Sequence, residues 1–386
     1  MARGFQKLVY SSIGKEFFTY LVFFVIAAVL VILLYIFIFR LKIKSASQYI
    51  TLIFCAGLYI FFTMQLGGHP EEAIHFLEYG LLSFFVFRAL SHGIRDWTIY
   101  FTAAFLVMFL GMADEFLQWI TPSRVWDYWD VGLNFLGGAI FLFAVWKGIK
   151  PSDISGPVRS LSVQVLVSVI TLNLILLGLC LSNTPINVKR YTSSLQFLSW
   201  LQQEEQMTEF GHNHIDPEIG KFNSRFTLEE INIIDRTNGN LHGKLISDDM
   251  KSGLSIDDIS TKYGPDTHPF LYEFLVHHKR RAQNVLAFND TEDTRNKSEL
   301  ANTVLIENLI TEKYFSNTFH HSHLEWNPGD LESLKKSASQ WKEEYISSTG
   351  RLVTIVDLNS SRAAILITLF ITWIGGEIWK RKLSAG

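Results

Sequence analysis

An apolar stretch at residues 73–90 contains three polar side chains at helical spacing. His75 and Tyr79 are four residues apart and therefore share one face of a helix, with Glu78 beside them. A charged group inside a membrane helix costs about 2.5–3.5 kcal/mol on insertion scales, so such groups normally face the interior of a helix bundle. An imidazole beside a carboxylate can exchange protons or hydrogen-bond a polar ligand.

A second set of polar residues ends the next apolar stretch and continues into the one after it. Asp114 and Gln118 are again four residues apart, with Glu115 next to Asp114. The turn that follows and the start of the next stretch add Arg124, Asp127, Asp130 and Asn134. If the three stretches are consecutive membrane helices, all ten side chains lie near the same face of the membrane. The sequence therefore predicts a single polar site.

Two interpretations of this site remain open at the level of sequence. The ten residues could form a polar pocket for the head group of an amphiphile, with His75 and Glu115 as candidate acid and base groups. Alternatively, they could join the helices to one another, with Arg124 pairing with Glu115 or Asp127 and with Gly137 and Gly138 allowing close approach. No nucleophile with an orienting base is evident, so the sequence leaves enzymatic activity open.

The elements that must position these residues are membrane helices. Apolar stretches of bilayer length occur at residues 17–39, 49–66, 73–90, 98–120, 131–147, 163–181 and 363–379. Lys and Arg gather in alternate loops and in the C-terminal tail, which predicts a cytoplasmic C-terminus and places residues 183–362 outside the cytoplasm. Arg3, Lys7 and Lys15 disagree with this pattern, so the side of the N-terminus stays open. The chain is predicted to be a multi-pass protein of the inner (plasma) membrane.

Composition separates the chain into two parts. The whole chain has 386 residues and a net charge of −3. Charged residues concentrate in the acidic segment 183–362, whereas the remainder is apolar and slightly basic. An acidic polar part repels phosphate backbones, so no nucleic-acid partner is expected. The only two cysteines, Cys55 and Cys180, lie in apolar stretches and form neither a disulfide framework nor a thiolate metal site.

The acidic segment is expected to be mainly α-helical. A capping box at Thr227–Glu230 predicts a helix that ends near Asn238 and Gly239. Further helices are predicted over 269–284, 291–314 and 330–347, and the best strand signal is 351–356. The overall prediction is an all-α, polytopic membrane protein with about seven transmembrane helices and a mainly helical extracytoplasmic domain inserted before the last helix.

Histidines in the acidic segment suggest a metal site as an alternative centre of function. His212, His214 and Asp216 alternate, so they would share one side of an extended strand and could hold a divalent metal ion. Glu273 and His277 are four residues apart on a predicted helix. His320, His321 and His323 form a third patch. A metal-dependent hydrolase in the outer domain is therefore a further hypothesis, although no HExxH signature accompanies these residues.

The polar residues of the membrane part also resemble the VanZ-like family of bacterial membrane proteins. The resemblance covers about residues 49–150, and its pattern consists of His75-Phe76-x-x-Tyr79, Asp114-Glu115-Phe-Leu-Gln118 and Arg124-x-x-Asp127-x-x-Asp130-x-x-x-Asn134-x-x-Gly137. The family is named for a protein linked to teicoplanin tolerance, and its members have no agreed activity. The resemblance thus implies a helical fold and a cell-envelope context, with glycopeptide (teicoplanin) resistance as an associated trait.

This chain departs from the family in two ways. VanZ-like proteins are usually short, whereas here the family-like part is flanked by a leading helix and loop (1–48), a further helix (151–182), the acidic domain (183–362) and a last helix with a basic tail (363–386). The usual acidic-basic pair before the histidine is replaced by His69-Pro70-Glu71-Glu72.

Taken together, these patterns favour a protein of the bacterial cell envelope that binds an amphiphilic ligand, such as a lipid-linked wall precursor. The lipid bilayer is its first partner. The main alternative is a non-catalytic accessory or structural subunit of a larger membrane complex, because added helices and a domain without catalytic signatures are typical of a scaffold. In that case other membrane protein subunits are the expected partners.

Overall fold

The computed structural model describes residues 17–66, 70–121, 124–203, 206–265, 267–325 and 328–385. The chain divides into two compact units, one comprising Met1–Cys180 with Arg362–Gly386 and the other Leu181–Ser361. Arg3, Lys7, Lys15 and His69, which entered the sequence-based predictions, lie outside the described residues.

The first unit is a bundle of long apolar helices. Within the described residues, seven helices are long and apolar enough to cross a membrane, as predicted. They are α1 (Phe17–Tyr35), α2 (Ala46–Gln65), α3 (Pro70–Leu90), α4 (Thr98–Trp119), α5 (Tyr128–Phe143), α6 (Ser160–Ser182) and a last helix over Leu358–Ala385. π-Helical turns extend α1 through Ile36–Arg40 and α5 through Ala144–Ile149. Helices suit this setting because lipid offers no partners to backbone amides and carbonyls.

Glycines allow α3, α4 and α5 to pack closely at the level of the predicted polar site. A Cβ atom at Gly137 of α5 would lie 2.5 Å from the backbone oxygen of Phe76 on α3. A Cβ atom at Gly111 of α4 would lie 3.2 Å from both Asn134 Cβ of α5 and Tyr79 Cε1 of α3. Small residues at such crossings bring helix backbones together, so polar side chains on the three helices come within reach of one another.

The opposite end of α4 is fixed by a buried carboxylate that the sequence-based predictions missed. Asp96, in the turn before α4, is only 1% exposed. Its Oδ1 accepts hydrogen bonds from the Thr98 amide at 3.0 Å and from the Thr98 hydroxyl at 2.6 Å. Its Oδ2 accepts a hydrogen bond from Ser162 Oγ at 2.6 Å. These bonds attach the first turn of α6 to the start of α4.

The second unit is mostly helical and contains two small sheets. Its helices are α7 (Pro185–Ser194), α8 (Leu228–Lys251), α9 (Ile256–Lys262), α10 (Pro269–Asp290), α11 (Thr294–Tyr314), α12 (Ser316–Ser322) and α13 (Pro328–Ala338), with a 3-10 helix over Gln196–Gln203. The last helix of the chain, Leu358–Ala385, is α14. The strands of the second unit are β1 (Glu209–Phe210), β2 (His212–Asp216), β3 (Gly220–Ser224), β4 (Ile346–Ser348) and β5 (Leu352–Val353).

The strands connect distant parts of the second unit. β2 and β3 form an antiparallel hairpin, β4 pairs parallel with β3, and β5 pairs parallel with β1. The predicted helix over 330–347 is therefore too long, because the helix ends at Ala338 and β4 begins at Ile346. The predicted strand over 351–356 is reduced to Leu352–Val353. Parallel pairing with β3 and β1 is a long-range interaction that local sequence does not reveal.

The predicted end of the helix after Thr227 is also wrong. The capping box is present, but α8 continues through Asn238 and Gly239 to Lys251. A Cβ atom at Gly239 would lie 2.6 Å from Asn317 Cβ, and one at Gly243 would lie 2.6 Å from the backbone oxygen of Thr318. These glycines therefore serve close packing of α8 against α12 rather than termination of the helix.

Candidate functional site

Three helices bring half of the predicted polar residues into one group. Tyr79 Oη on α3 donates a hydrogen bond to Asp114 Oδ2 on α4 at 3.4 Å. Gln118 Nε2 donates to Asp114 Oδ2 at 3.1 Å and to Glu115 Oε1 at 3.2 Å. Asn134 of α5 reaches the same place across the glycine contact described above. We call Tyr79, Asp114, Glu115, Gln118 and Asn134 the polar cluster.

The polar cluster extends from the interior of the bundle to its surface. Glu115 is 5% exposed and Asn134 is 4% exposed, whereas Asp114 is exposed. Glu115 interacts electrostatically with Asp114, with Asp130 and Asp127 and with the imidazole of His75. Carboxylates therefore predominate around Glu115, and the group favours a ligand that donates hydrogen bonds or carries positive charge.

The remaining α3 residues lie beside the polar cluster. His75 Nδ1 is 3.2 Å from Glu78 Oε2, and the two side chains are 52% and 60% exposed. His75 also interacts electrostatically with Asp114 and Glu115. His75 and Glu78 thus form the exposed edge of the polar site, next to the buried carboxylate of Glu115.

The remaining residues come from the turn before α5 and from its first helical turn. Asp127 caps α5, because its side chain accepts a hydrogen bond from the Trp129 amide at 2.8 Å. Asp130 follows in the first turn of α5, where a negative charge interacts favourably with the helix dipole. The Arg124 side chain is exposed, and its pairing with Glu115 or Asp127 stays a prediction.

The second unit holds a buried polar network that the sequence-based predictions recognised only in part. Glu307 of α11 has a fully buried side chain. It accepts hydrogen bonds from Ser347 Oγ at 2.7 Å, from Arg280 at 3.2 Å and from Tyr345 Oη, and it lies 2.6 Å from His277 Nδ1. The network joins α10, α11, β4 and the residue before β4. The spacing of residues along the sequence does not predict this network, because its members are 27 to 40 residues away from Glu307.

The network keeps Glu307 ionised. Burial raises the pKa of Glu307, but the charges and hydrogen bonds of His277, Tyr345 and Arg280 outweigh burial and hold this pKa below its ordinary value. Burial and the neighbouring carboxylate raise the pKa of Tyr345, so its hydroxyl stays a donor. A charge held in this way contributes to the stability of the unit rather than to an accessible reaction site.

The predicted metal ligands on β2 are engaged by protein groups. Asp216 Oδ2 accepts a hydrogen bond from Tyr314 Oη at 2.7 Å and lies 2.9 Å from Lys313 Nζ. His214 Nε2 is 2.9 Å from the backbone oxygen of Phe226, whereas His212 is exposed. Within the described part of the chain, no three His, Cys, Asp or Glu side chains are placed to hold one metal ion. The structure therefore lends the metal hypothesis no support.

The other two histidine patches also have protein partners. Glu273 Oε2 accepts a hydrogen bond from the Arg225 amide at 3.1 Å, and His277 faces Glu307 as described. His320 Nδ1 lies 2.9 Å from Glu325 Oε1, and His321 Nδ1 lies 2.8 Å from the backbone oxygen of Asn317.

The Asp216 contacts predict a pH dependence of stability. Burial raises the pKa of Asp216, but hydrogen bonds from Lys313, from Tyr314 and from two backbone amides lower it further than burial raises it. A depressed folded-state pKa stabilises the fold above the unfolded value of about 4, and this contribution is lost as the pH falls below that value. We expect Asp216→Asn to lower stability at pH 7 and to reduce the further loss between pH 5 and about pH 3.

Hydrogen exchange of the full chain in detergent micelles, corrected for intrinsic rates, would measure this effect in β2 and α11. Glu218→Gln is the matched control, because Glu218 is exposed and also pairs with Lys313. Equal acid sensitivity of the native protein and Asp216→Asn would contradict the expectation.

The fold and the site define a class of protein, namely a polytopic helical membrane protein with a folded domain inserted before its last membrane helix. Comparison with protein-family models, with curated proteins and with solved structures finds no match. The VanZ-like resemblance consequently stays a prediction from the residues quoted above.

Proposed function

We propose that the polar cluster binds the head group of an amphiphile of the bacterial cell envelope, such as a lipid-linked wall precursor, in a VanZ-like membrane protein. The observation that carries the proposal is the buried carboxylate of Glu115 beside the exposed carboxylate of Asp114 at one end of α4. A head group could contact both residues from the surface of the bundle. Burying a carboxylate in a membrane helix costs free energy, so its presence there points to a functional role.

The chemistry of the polar cluster indicates which chemical groups of the head group it would contact. Carboxylate oxygens accept hydrogen bonds, and those of Glu115 and Asp114 lie near two further carboxylates, Asp127 and Asp130. Sugar hydroxyls and ammonium groups donate to such oxygens, whereas phosphate oxygens are repelled. A phosphate in the same ligand would instead be placed near the exposed Arg124. The preferred ligand therefore combines hydroxyl or ammonium donors with a hydrocarbon chain.

We further propose that this end of the bundle faces away from the cytoplasm. Lys147 and Lys150 occur at the far end of the α5 extension, opposite the polar cluster, and both are exposed. Lys380 and Lys382 lie in the last turns of α14. Basic residues in short loops and tails favour the cytoplasmic side, so the opposite end of each helix is assigned to the outer side.

Replacing Asp114 by Asn tests the proposed site. The variant keeps the size of the side chain but removes the exposed charge that a donor-rich head group would contact. We expect retention of co-purified amphiphiles by the full-length protein to fall about tenfold, as measured by native mass spectrometry, which corresponds to about 1.4 kcal/mol for one charge-assisted hydrogen bond.

Asp153→Asn is the matched control, since Asp153 is exposed and pairs only loosely with Arg95 at 3.7 Å. Unchanged retention in a folded Asp114→Asn protein would refute the head-group site. The same spectra test the accessory-subunit alternative, because a second protein at fixed stoichiometry would appear in preparations from native membranes.

A further inference from the structure

A second feature of the membrane unit adjoins the polar cluster. α1, α2, α3 and α5 with its extension line a half-open cavity of about 270 Å³. Among the described residues that line it, Glu78 is the only charged one. The hydroxyl of Tyr59, which also lines the cavity, donates a hydrogen bond to the backbone oxygen of Gly137 at 2.5 Å. The cavity is therefore apolar except at Glu78.

The cavity follows the helix axes. Its lining includes Val25 and Leu33 of α1, which are eight residues or about 12 Å of helix rise apart. On α3 the lining comprises residues in the middle of the helix, including Glu78 and Leu81, whereas the contribution after α5 reaches Ile149. The cavity thus extends from the level of Glu78, in the middle of α3, toward the end of the bundle that carries Ile149.

Glu78 connects this cavity to the polar site. It lines the cavity, its carboxylate lies 3.2 Å from His75, and it precedes Tyr79 of the polar cluster. His75 in turn interacts electrostatically with Asp114 and Glu115. The polar cluster and the apolar cavity are therefore continuous, so one amphiphile can place its head group on the first and its hydrocarbon chain in the second.

We infer that the cavity holds one hydrocarbon chain of the amphiphile whose head group lies on the polar cluster. This inference builds on the proposed function and adds the part of the ligand that lies within the membrane. Water is a poor occupant because it needs two to four polar partners, and the lining offers little beyond Glu78. A methylene chain, by contrast, recovers the dispersion contacts that an empty cavity forfeits.

Photolabelling of the full-length protein in vesicles tests the inference. The probe is phosphatidylethanolamine with a diazirine on one acyl chain, because its ammonium group suits a carboxylate-rich site. We expect labels on the cavity residues Leu33 and Ile149 in excess of those on the exposed Leu366 of α14.

A bulkier side chain should exclude the hydrocarbon chain. Ala56→Phe on α2 and Ala144→Phe after α5 each place a ring in the cavity lining. We expect either variant to reduce cavity labelling about tenfold, the change expected when two methylene groups lose their burial. Ala89→Phe is the matched control, since Ala89 is exposed on α3 and does not line the cavity.

The outcomes separate the two proposals. Labelling of Leu33 and Ile149 no stronger than that of Leu366 would overturn the chain site, even if Asp114→Asn still loses its amphiphiles. Undiminished cavity labelling in both phenylalanine variants would overturn it as well. Strong cavity labelling that is unaffected by Asp114→Asn would instead overturn the head-group site and the connection between the two.

Discussion

Replacing Glu307 by Ala should loosen the Leu181–Ser361 unit more than any other single change considered for it. The substitution removes the acceptor shared by Arg280, Tyr345 and Ser347. The half-buried Arg280 guanidinium and the buried imidazole of His277 then lose the carboxylate that they face. Each buried hydrogen-bond donor that loses its acceptor costs about 1–3 kcal/mol, so the combined loss approaches the stability of a marginal domain. Hydrogen exchange of the full-length protein should show lost protection in α10, α11 and β4.

Glu299→Ala provides the control for this prediction. Glu299 lies on the same helix as Glu307 but is exposed, so its removal should change local stability by no more than about 0.5 kcal/mol. Similar exchange patterns in the two variants would show that the buried network contributes little. Protection in α2–α5 should stay unchanged in both, because those helices belong to the other unit.

Gly137→Ala should disrupt the membrane bundle at the candidate site. The added methyl group would lie 2.5 Å from the backbone oxygen of Phe76, and backbone cannot rotate away as a side chain can. Overpacking of this kind typically costs about 1–3 kcal/mol, and it would separate α5 from α3. We expect a lower thermal stability in detergent together with weaker retention of amphiphiles.

Gly132→Ala is a closely matched control. Gly132 lies on the same helix, and a Cβ atom there would meet nothing within 4 Å. Alanine is the better helix former by about 1 kcal/mol, so this variant should be as stable as the native protein or slightly more stable. A Gly137→Ala protein with native stability and native ligand retention would show that the close crossing is unimportant.

The membrane part of the fold was largely predictable from sequence, for a physical reason. A bilayer demands long apolar helices, and this requirement is local enough to be read from a stretch such as Phe17–Tyr35. Alternation of consecutive helices then predicted that Tyr79, Asp114 and Asn134 would lie at one level. In the structure Tyr79 hydrogen-bonds Asp114, and Asn134 approaches Tyr79 across Gly111, so the three residues do lie together.

The second unit was less predictable because its key contacts are distant in sequence. Gly239 looked like a helix end, but α12, which begins almost 80 residues later, requires a small residue there. Asp216 looked like a metal ligand, but its Oδ2 accepts a hydrogen bond from Tyr314 and pairs with Lys313. Residue type and spacing misplaced the helix end at Gly239, because tertiary packing determines that position. The metal site at Asp216 stays a prediction that these protein contacts do not favour.

The packing of α6 against α14 has a consequence for the construction of the chain. A Cβ atom at Gly178 would lie 3.4 Å from Ile365, and one at Gly376 would lie 2.6 Å from Val167. These two helices lead into and out of the Leu181–Ser361 unit, so the chain leaves the bundle and returns to it at neighbouring points. Such an insertion is modular, because a short linker could bridge the two helices without altering the order of the membrane helices. We therefore expect the bundle to keep its helix order when the insert is shortened or replaced.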